Sequence, residues 1–308
     1  MRIIIAGGSG LVGRALTDSL AKDGHDVIIL SRTPEKVKDL PSNTFAIKWD
    51  AHTQEGWLDR VEGADVIVNF AGASLKGEGF IPNRWTRKRK ELIRLSRINA
   101  GKAVTEAIRA AKRKPKFLLQ ASAVGYYGPR GSEAVGENAS PGSGFLANLC
   151  VEWEESTAEV EKMGVRRVVV RTGLSLTLTG GAFPLLVLPF RMFTGNWFGS
   201  GRQYYPWIHF DDHIAALRFL IDNSDASGAF NLSAPNPTTN REFARTLGKV
   251  MRRPVFLPIP RFALNLALGE VSTVVMDGQR AVPEKLLQGG FAFRHPELEA
   301  ALKDLLTK

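Results

Sequence analysis

The first half of the chain alternates two kinds of segment. Short runs rich in Val, Ile, Leu and Phe occupy residues 2–6 (RIIIA), 26–30 (DVIIL), 45–49 (FAIKW), 65–72 (DVIVNFAG), 116–122 (KFLLQAS) and 166–173 (RRVVVRTG). They are nearly continuously apolar, not alternating, which is the pattern of parallel strands covered on both faces. Residues 11–22, 86–112 and 144–163 between them read as helices. Strand–helix alternation predicts an α/β fold built on a doubly wound parallel sheet. After Gly173 the rhythm breaks, and prolines and glycines become frequent. Residues 211–222 and 240–251 still read as helices. Residues 252–262 (RRPVFLPIPRF) read as a short strand and an extended proline-bearing segment. Helical stretches recur in 264–308, with no repeat and no low-complexity linker. The expected organisation is a sheet domain over 1–175, to which later segments return. A smaller mixed α/β lobe covers 176–308 and includes a small C-terminal domain at about 250–300.

Length and composition narrow the class. A chain of 308 residues forms one large domain or a domain with an appendage. The single cysteine, Cys150, allows no intrachain disulfide, which fits a reducing, cytoplasmic setting. The N-terminal apolar run is too short for a signal peptide, and glycines follow at once. The apolar stretch FPLLVLPF (183–190) is too short to span a membrane and carries two prolines, so no membrane partner is expected. A net charge of +10 permits anionic partners. The densest basic run, NRWTRKRKELIRLSR (83–97), is spread around a predicted helix and not gathered in a tail. That favours a solvated basic face and a small anionic ligand over a nucleic acid.

The N-terminal strand leads into AGGSGLVGRAL, with Gly7, Gly10 and Gly13 spaced G-x-x-G-x-x-G. Gly7 permits a tight turn, Gly10 lets backbone approach a pyrophosphate, and Gly13 lets the following helix pack close to the sheet. The helix N-terminus then offers free N–H groups and partial positive charge to the anion. The sheet domain is therefore expected to be a Rossmann-type dinucleotide-binding domain. The second strand ends in ILSRTPEK, so Ser31 and Arg32 stand where an acidic residue would hold the ribose hydroxyls of NAD. With no carboxylate to repel a 2′-phosphate and a guanidinium ready to pair with it, the expected cofactor is NADP(H).

These features resemble the short-chain dehydrogenase/reductase superfamily in its extended and atypical branches. The segments SRTP, VNFAGASL, SAVGYYG, FLANLCVEWE, VRTGLSL, GSGRQYYPWIHFDD, FNLSAPNPTTNREFA and AVPEKLLQGGFAFRHPELEAAL follow in that order. Together they resemble the family labelled sugar-nucleotide epimerase-like, across essentially the whole chain and including its small C-terminal domain. By position, the resemblance implies that Gly7, Ser9, Gly10, Leu11 and Val12 meet the dinucleotide. It implies that Ser31 and Arg32 take the 2′-phosphate, and that Phe70, Ala71 and Gly72 line the adenine-ribose and pyrophosphate path. Arg97, the arginine of the SR pair on the long helix, is either a contact to cofactor phosphate or ribose or a solvated helix cation.

The catalytic kit is incomplete in sequence. Such reductases pair a serine with a tyrosine and a lysine four residues later on one helix face. Ser122 matches the serine, but no Y-x-x-x-K occurs anywhere in the chain. The matching helix is expected to present Phe145 and Leu149 at that spacing. Tyr126 and Tyr127 are the replacement acid/base candidates, with ring packing as the alternative. Cys150 reads as a core residue. The histidines show no metal-ligand spacing, and no metal is expected. Asp211 or Asp212 reads as a helix cap. His209 is either a substrate contact or a satisfied core histidine. Trp85, Arg202 and Gln203 are the remaining substrate candidates. The resulting expectation is an NADP(H)-dependent oxidoreductase or epimerase acting on a small polar or sugar-nucleotide-like substrate. The alternative is a non-catalytic NADP(H)-binding regulatory protein. Oligomeric state is left open.

Overall fold

The computed structural model describes residues 1–77, 79 and 82–307. In chain order, the first half contains β1 (Arg2–Ala6), α1 (Leu11–Lys22), β2 (Asp26–Ser31), β3 (Thr44–Lys48), α2 (Leu58–Val61), β4 (Val66–Asn69), α3 (Arg87–Ala110), β5 (Phe117–Ala123), β6 (Ala134–Val135), α4 (Phe145–Glu155) and β7 (Arg166–Thr172). The second half contains β8 (Leu174–Leu176), α5 (Phe183–Arg191), β9 (Tyr204–Tyr205), β10 (Trp207–His209), α6 (Phe210–Asp222), β11 (Gly228–Leu232), β12 (Thr238–Thr239), α7 (Asn240–Met251), α8 (Arg261–Leu268), α9 (Thr273–Met276), β13 (Arg280–Ala281), α10 (Glu284–Gln288) and α11 (Leu298–Leu306). Seven strands form one sheet in the order β11-β7-β5-β4-β1-β2-β3, with every pairing parallel.

The continuous apolar runs follow from this layering. Side chains along a strand alternate between faces. Ile3 and Ile5 join Leu16 and Leu20 of α1 and Leu217 and Leu220 of α6 in one core cluster. Ile4 and Ile67 join Ala100, Val104 and Ile108 of α3 in another. Both faces are dry, so neither set of positions is polar. On α1 the buried positions are Gly13, Leu16, Thr17, Leu20 and Ala21, a single helical stripe against the sheet. The C-terminal lobe has its own core, in which Phe183, Val187 and Phe190 of α5 meet Phe243 and Leu247 of α7 and Leu298 and Leu302 of α11. A capping box between Thr239 and Glu242 starts α7. Among the described residues no helix is long and apolar enough to cross a membrane.

Three boundaries differ from the sequence expectation. The segment 144–163 is not one helix: α4 stops at Glu155 and a 3₁₀ turn follows over Ala158–Met163. Ser156 and Thr157 bond back to the carbonyls of Trp153 and Glu154, which offers the backbone an alternative to the helical ladder. The strand expected over 65–72 ends at Asn69, whose side-chain oxygen accepts the Ala71 N–H and turns the chain out of the sheet. The proline-bearing 252–262 segment makes only isolated bridges, Gly195 to Val255 and Phe198 to Ile259. Strand β11 (GAFNL) is an addition. It starts on a glycine and carries a fully buried Asn231, so its five residues do not form a continuous apolar run.

Candidate functional site

The strands β1, β4 and β5 end side by side, and their C-terminal turns build a cradle. Gly7 has φ +79°, which favours glycine, and a Cβ there would lie 2.9 Å from the Phe70 carbonyl carbon. The turn after β1 is thus pressed against the turn after β4. A Cβ on Gly13 would lie 2.4 Å from the Gly7 carbonyl oxygen, so the first turn of α1 rests directly on the glycine loop. Gly10 is the N-cap of α1 and supplies no side-chain acceptor. The first helical N–H groups, from Leu11 onward, have no intrahelical acceptor, and no acidic residue lies in that turn. Ser9 and Gly10 are exposed, and Leu11 and Val12 half-buried. This is a rigid, uncapped, positive helix end with glycine where an approaching group needs room.

At the end of β2, Ser31 is buried and its hydroxyl accepts the Thr33 N–H at 3.2 Å. Arg32 is exposed, and among the described residues it has no acidic partner. Neighbouring Arg14 is engaged instead: it pairs with Asp18 and donates to the carbonyls of Lys38 and Asp39, fixing the loop beyond β2.

The turn after β4 is held from below. Asn69 donates to Gln120 at 2.9 Å. Ser96 accepts the Ala73 N–H at 2.9 Å, and Arg97 donates through Nη1 to the Ala73 and Ile93 carbonyls at 3.0 Å each. The SR pair of α3 therefore clamps the Ala71–Gly72–Ala73 segment, and a Cβ on Gly72 would lie 3.1 Å from Arg97 Cγ, a close approach. Arg97 is buried beside the Trp153 ring, 4.9 Å away, and among the described residues its Nε has no acceptor. Burial lowers its pKa to about 10, against a smaller raising effect of the adjacent Cys150. Arg97 is thus not a solvated helix cation. Much of the rest of the basic run is engaged as well: Arg84, Arg89, Lys90 and Arg94 bond to Leu266, Ser74, Glu270 and Glu152.

At the end of β5 the structure corrects the expected acid/base set. Tyr127 is fully buried, its hydroxyl donating to Asn231 at 2.7 Å and accepting from Arg171 at 3.1 Å. Burial, only partly opposed by Arg171, raises its pKa. Its hydroxyl is committed to the interior, so Tyr127 leaves the catalytic set. Ser122 is buried and donates to Glu154 Oε1 at 2.6 Å. Glu154 is gripped by Arg171 through two bonds of 2.9 Å, and Arg171 lies 3.4 Å from the centre of the half-buried Tyr126 ring. Burial disfavours the Arg171 cation, but its bonds to Glu154 and Tyr127 outweigh that and raise its pKa. Glu137 completes the network by accepting the Asn231 N–H at 3.0 Å. Glu154, Arg171, Glu137 and Asn231 were missed from sequence; a charged residue inside the apolar run VVVRTG was the available signal.

The helix α4 also presents a different pair than expected. Phe145 and Leu149 pack with Trp85, Ile93 and Val271. Leu146 and Cys150 face the turn after β5: a Cβ on Gly125 would lie 3.5 Å from Leu146 Cβ and 3.9 Å from Cys150 Sγ. The Cys150 thiol is pushed up to about 11 by burial and the nearby Glu154 carboxylate.

The remaining substrate candidates scatter. Trp85 is buried, donating to the Leu75 carbonyl at 3.0 Å with its ring edge-on to Phe145. Arg202 is exposed. Gln203 braces two segments by donating to the Phe198 and Val275 carbonyls, so its amide N–H groups do not stand free for a substrate. His209 is 1% exposed and is a core residue, not a substrate contact. Its Nδ1 accepts the Asp211 N–H and caps α6, the role expected of Asp211 or Asp212. It stacks on His295 at 3.9 Å, while Asp212 accepts the Arg294 and His295 N–H groups at 2.8 Å and ties down the tail. Burial, then His295, lowers the His209 pKa against three nearby aspartates. Ligand atoms of His209, Asp211 and His295 lie within 4.8 Å of one another, a grouping the sequence spacing did not suggest.

Comparison with known proteins agrees with this geometry. The sequence model of the NAD dependent epimerase/dehydratase family matches residues 3–233, and that of a domain of unknown function, DUF1731, matches 259–305. The epimerase family protein YfhF of Bacillus subtilis is 39% identical, with 100% of this chain and 98% of the relative covered. The crystal structure of human epimerase family protein SDR39U1 (isoform 2) with NADPH superposes with a TM-score of 0.86 at 30% identity, covering 100% of both chains. A nucleoside-diphosphate sugar epimerase from Corynebacterium glutamicum has a TM-score of 0.76 at 31% identity, covering 99% of this chain and 58% of that one.

Proposed function

Because the chain belongs to the NAD dependent epimerase/dehydratase family, we propose that it binds NADP(H) in the cradle at the ends of β1, β2 and β4 and works there as an oxidoreductase or epimerase. The observation that carries this reading is the uncapped N-terminus of α1 seated on a turn in which Gly7 and Gly13 leave no room for a Cβ. Gly7, Ser9, Gly10, Leu11 and Val12 would hold the pyrophosphate through backbone N–H groups. Ser31 and Arg32 would take the 2′-phosphate, and Phe70, Ala71 and Gly72 would flank the dinucleotide. The human relative solved with NADPH supports the choice of phosphate-bearing cofactor.

When bound, the nicotinamide supplies or accepts a hydride. The chain's own residues would do the rest. Arg97 would act as the buried cation at the corner of the cleft, near Cys150 and beneath the Ala71–Gly72–Ala73 turn. Ser122, whose single proton goes to Glu154, would accept a hydrogen bond from a substrate hydroxyl through Oγ. Tyr126, half-buried at the same turn, is the remaining hydroxyl with acid/base capacity. Arg202, which is exposed, would meet an anionic or hydroxylated substrate of the small polar or sugar-nucleotide-like class. A second reading, a non-catalytic NADP(H)-binding regulator, is favoured by one observation. The α4 pair facing β5 is Leu146 and Cys150, not a tyrosine and lysine.

Fluorescence titration of NADPH and NADH against the protein and Arg32→Glu tests the cofactor reading. NADPH should bind at least about tenfold tighter than NADH, and the variant should erase that preference. Equal affinities in the unaltered protein would sink it. Tight NADPH binding with no hydride transfer across carbonyl and sugar-nucleotide substrates would select the regulator.

A further inference from the structure

The C-terminal ends of α5, α7 and α11 converge on an open cleft of about 350 Å³, none of whose walls belongs to the cofactor cradle. Three arginines are among its lining residues, Arg191, Arg252 and Arg253, and its aliphatic wall is built by Leu178, Leu305 and Leu306 with the last turn of α7. No acidic residue is among the lining residues. Cations near helix C-termini are expected, since the last carbonyls carry partial negative charge. Three arginines in one cleft exceed that need, and among the described residues none of them is in an ion pair.

The local backbone brings two of them together. Arg252 sits in the left-handed region at φ 55°, so the chain turns sharply off α7 and directs consecutive arginines to the same cleft. The Arg253 guanidinium stacks on the Phe193 ring at 4.0 Å and donates through Nη1 to the Arg252 carbonyl at 3.5 Å, while among the described residues its buried Nε has no acceptor. Beyond Arg191, Met192 and Phe193 are 64% and 54% exposed, large apolar side chains left uncovered next to the charged wall. A small inorganic anion would satisfy the arginines alone. A neutral hydrophobe would cover the leucines and leave the guanidinium groups unpaired. One ligand class meets both surfaces, an anionic head on an aliphatic tail.

We propose that this cleft is a binding site for a single-chain anionic amphiphile, its carboxylate or phosphate paired with Arg191, Arg252 and Arg253 and its chain laid along Leu178, Leu305 and Leu306. The site stands apart from the cofactor reading and holds whichever way that reading is decided. The test is calorimetric titration of the full chain with dodecanoate below its micelle-forming concentration. Dodecanol, inorganic phosphate and dodecyl phosphate are run in parallel.

Dodecanoate or dodecyl phosphate should bind saturably, and at least about tenfold tighter than dodecanol or inorganic phosphate; the tighter of the two identifies the head group. The double variant Arg191→Gln/Arg252→Gln alters two exposed side chains and should weaken that binding at least about tenfold. It should leave NADPH affinity unchanged. Leu178→Asp, at a partly exposed rim position, should weaken it as well and serves alone if the double variant does not fold. Equal binding of dodecanol, equal binding of inorganic phosphate, or amphiphile binding that neither variant weakens would each overturn the proposal.

Discussion

Replacing Glu154 by Gln isolates the charge at the centre of the buried network while keeping its shape. The Glu154 and Arg171 side chains are only 13% and 5% exposed and meet through two bonds of 2.9 Å. Two unit charges about 4 Å apart at an effective dielectric of about 20 interact by about 4 kcal/mol. Removing one partner of a buried pair costs about 3–5 kcal/mol, because the other charge stays behind without compensation. Gln keeps an acceptor for Ser122 and for one guanidinium N–H, so the low end, about 3 kcal/mol, is expected. Scaled to a chain of 308 residues, that lowers the melting temperature by roughly 5 °C. Urea unfolding and thermal melting of the two proteins at neutral pH measure it. A double-mutant cycle adds Arg171→Met, and the combined loss should fall well short of the sum of the two single losses. A Glu154→Gln protein within about 0.5 kcal/mol of the unaltered one would refute the reasoning, since that is the range of a surface substitution.

Three other outcomes follow from the same geometry. Gly13→Ala places a methyl group 2.4 Å from the Gly7 carbonyl oxygen and must displace α1; it should cost about 1–3 kcal/mol and weaken NADPH binding in a fluorescence titration, and an unchanged titration counts against the cradle. Tyr127→Phe leaves the Asn231 oxygen and an Arg171 N–H without their partner; urea unfolding should show a loss of about 1–3 kcal/mol with NADPH affinity intact, and no loss would return the hydroxyl to the candidate list. His213 is fully buried, and desolvation lowers its pKa from 6.5 to about 4. Above pH 6.5 both folded and unfolded forms are neutral; as pH falls toward 4 only the unfolded imidazole takes up a proton, so stability declines by up to about 1.4 kcal/mol per pH unit across that window. Unfolding measured at pH 4.5 and 7 should show a smaller difference for His213→Asn, and an equal difference would show that the decline comes from other groups.

The glycine turn after β1 was legible in the sequence alone. The glycine spacing, the strand before it and the helix after it are local, and each residue's role depends on neighbours a few positions away. Ser31 and Arg32 at the end of β2 are likewise read from where a strand stops. The chemical half was legible only as a gap. Absence of Y-x-x-x-K is a fact of the string, but the pair that replaces it was misplaced by one residue. A helix periodicity does not say which of two adjacent stripes, Phe145 and Leu149 or Leu146 and Cys150, faces the sheet.

What the sequence by itself determined is therefore the layered α/β architecture and the glycine cradle at the start of α1, because continuous apolar runs and glycine turns encode themselves within a few residues. What only the tertiary structure decided is which polar groups are free. The partner of Tyr127 lies 104 residues away at Asn231, the partner of Ser122 lies 32 away at Glu154, and the groups around His209 arrive from the C-terminal tail. A hydroxyl or an imidazole has the same letter whether it faces a cleft or is bonded in the core. The difference is made by chain segments that meet only once the sheet has closed over them.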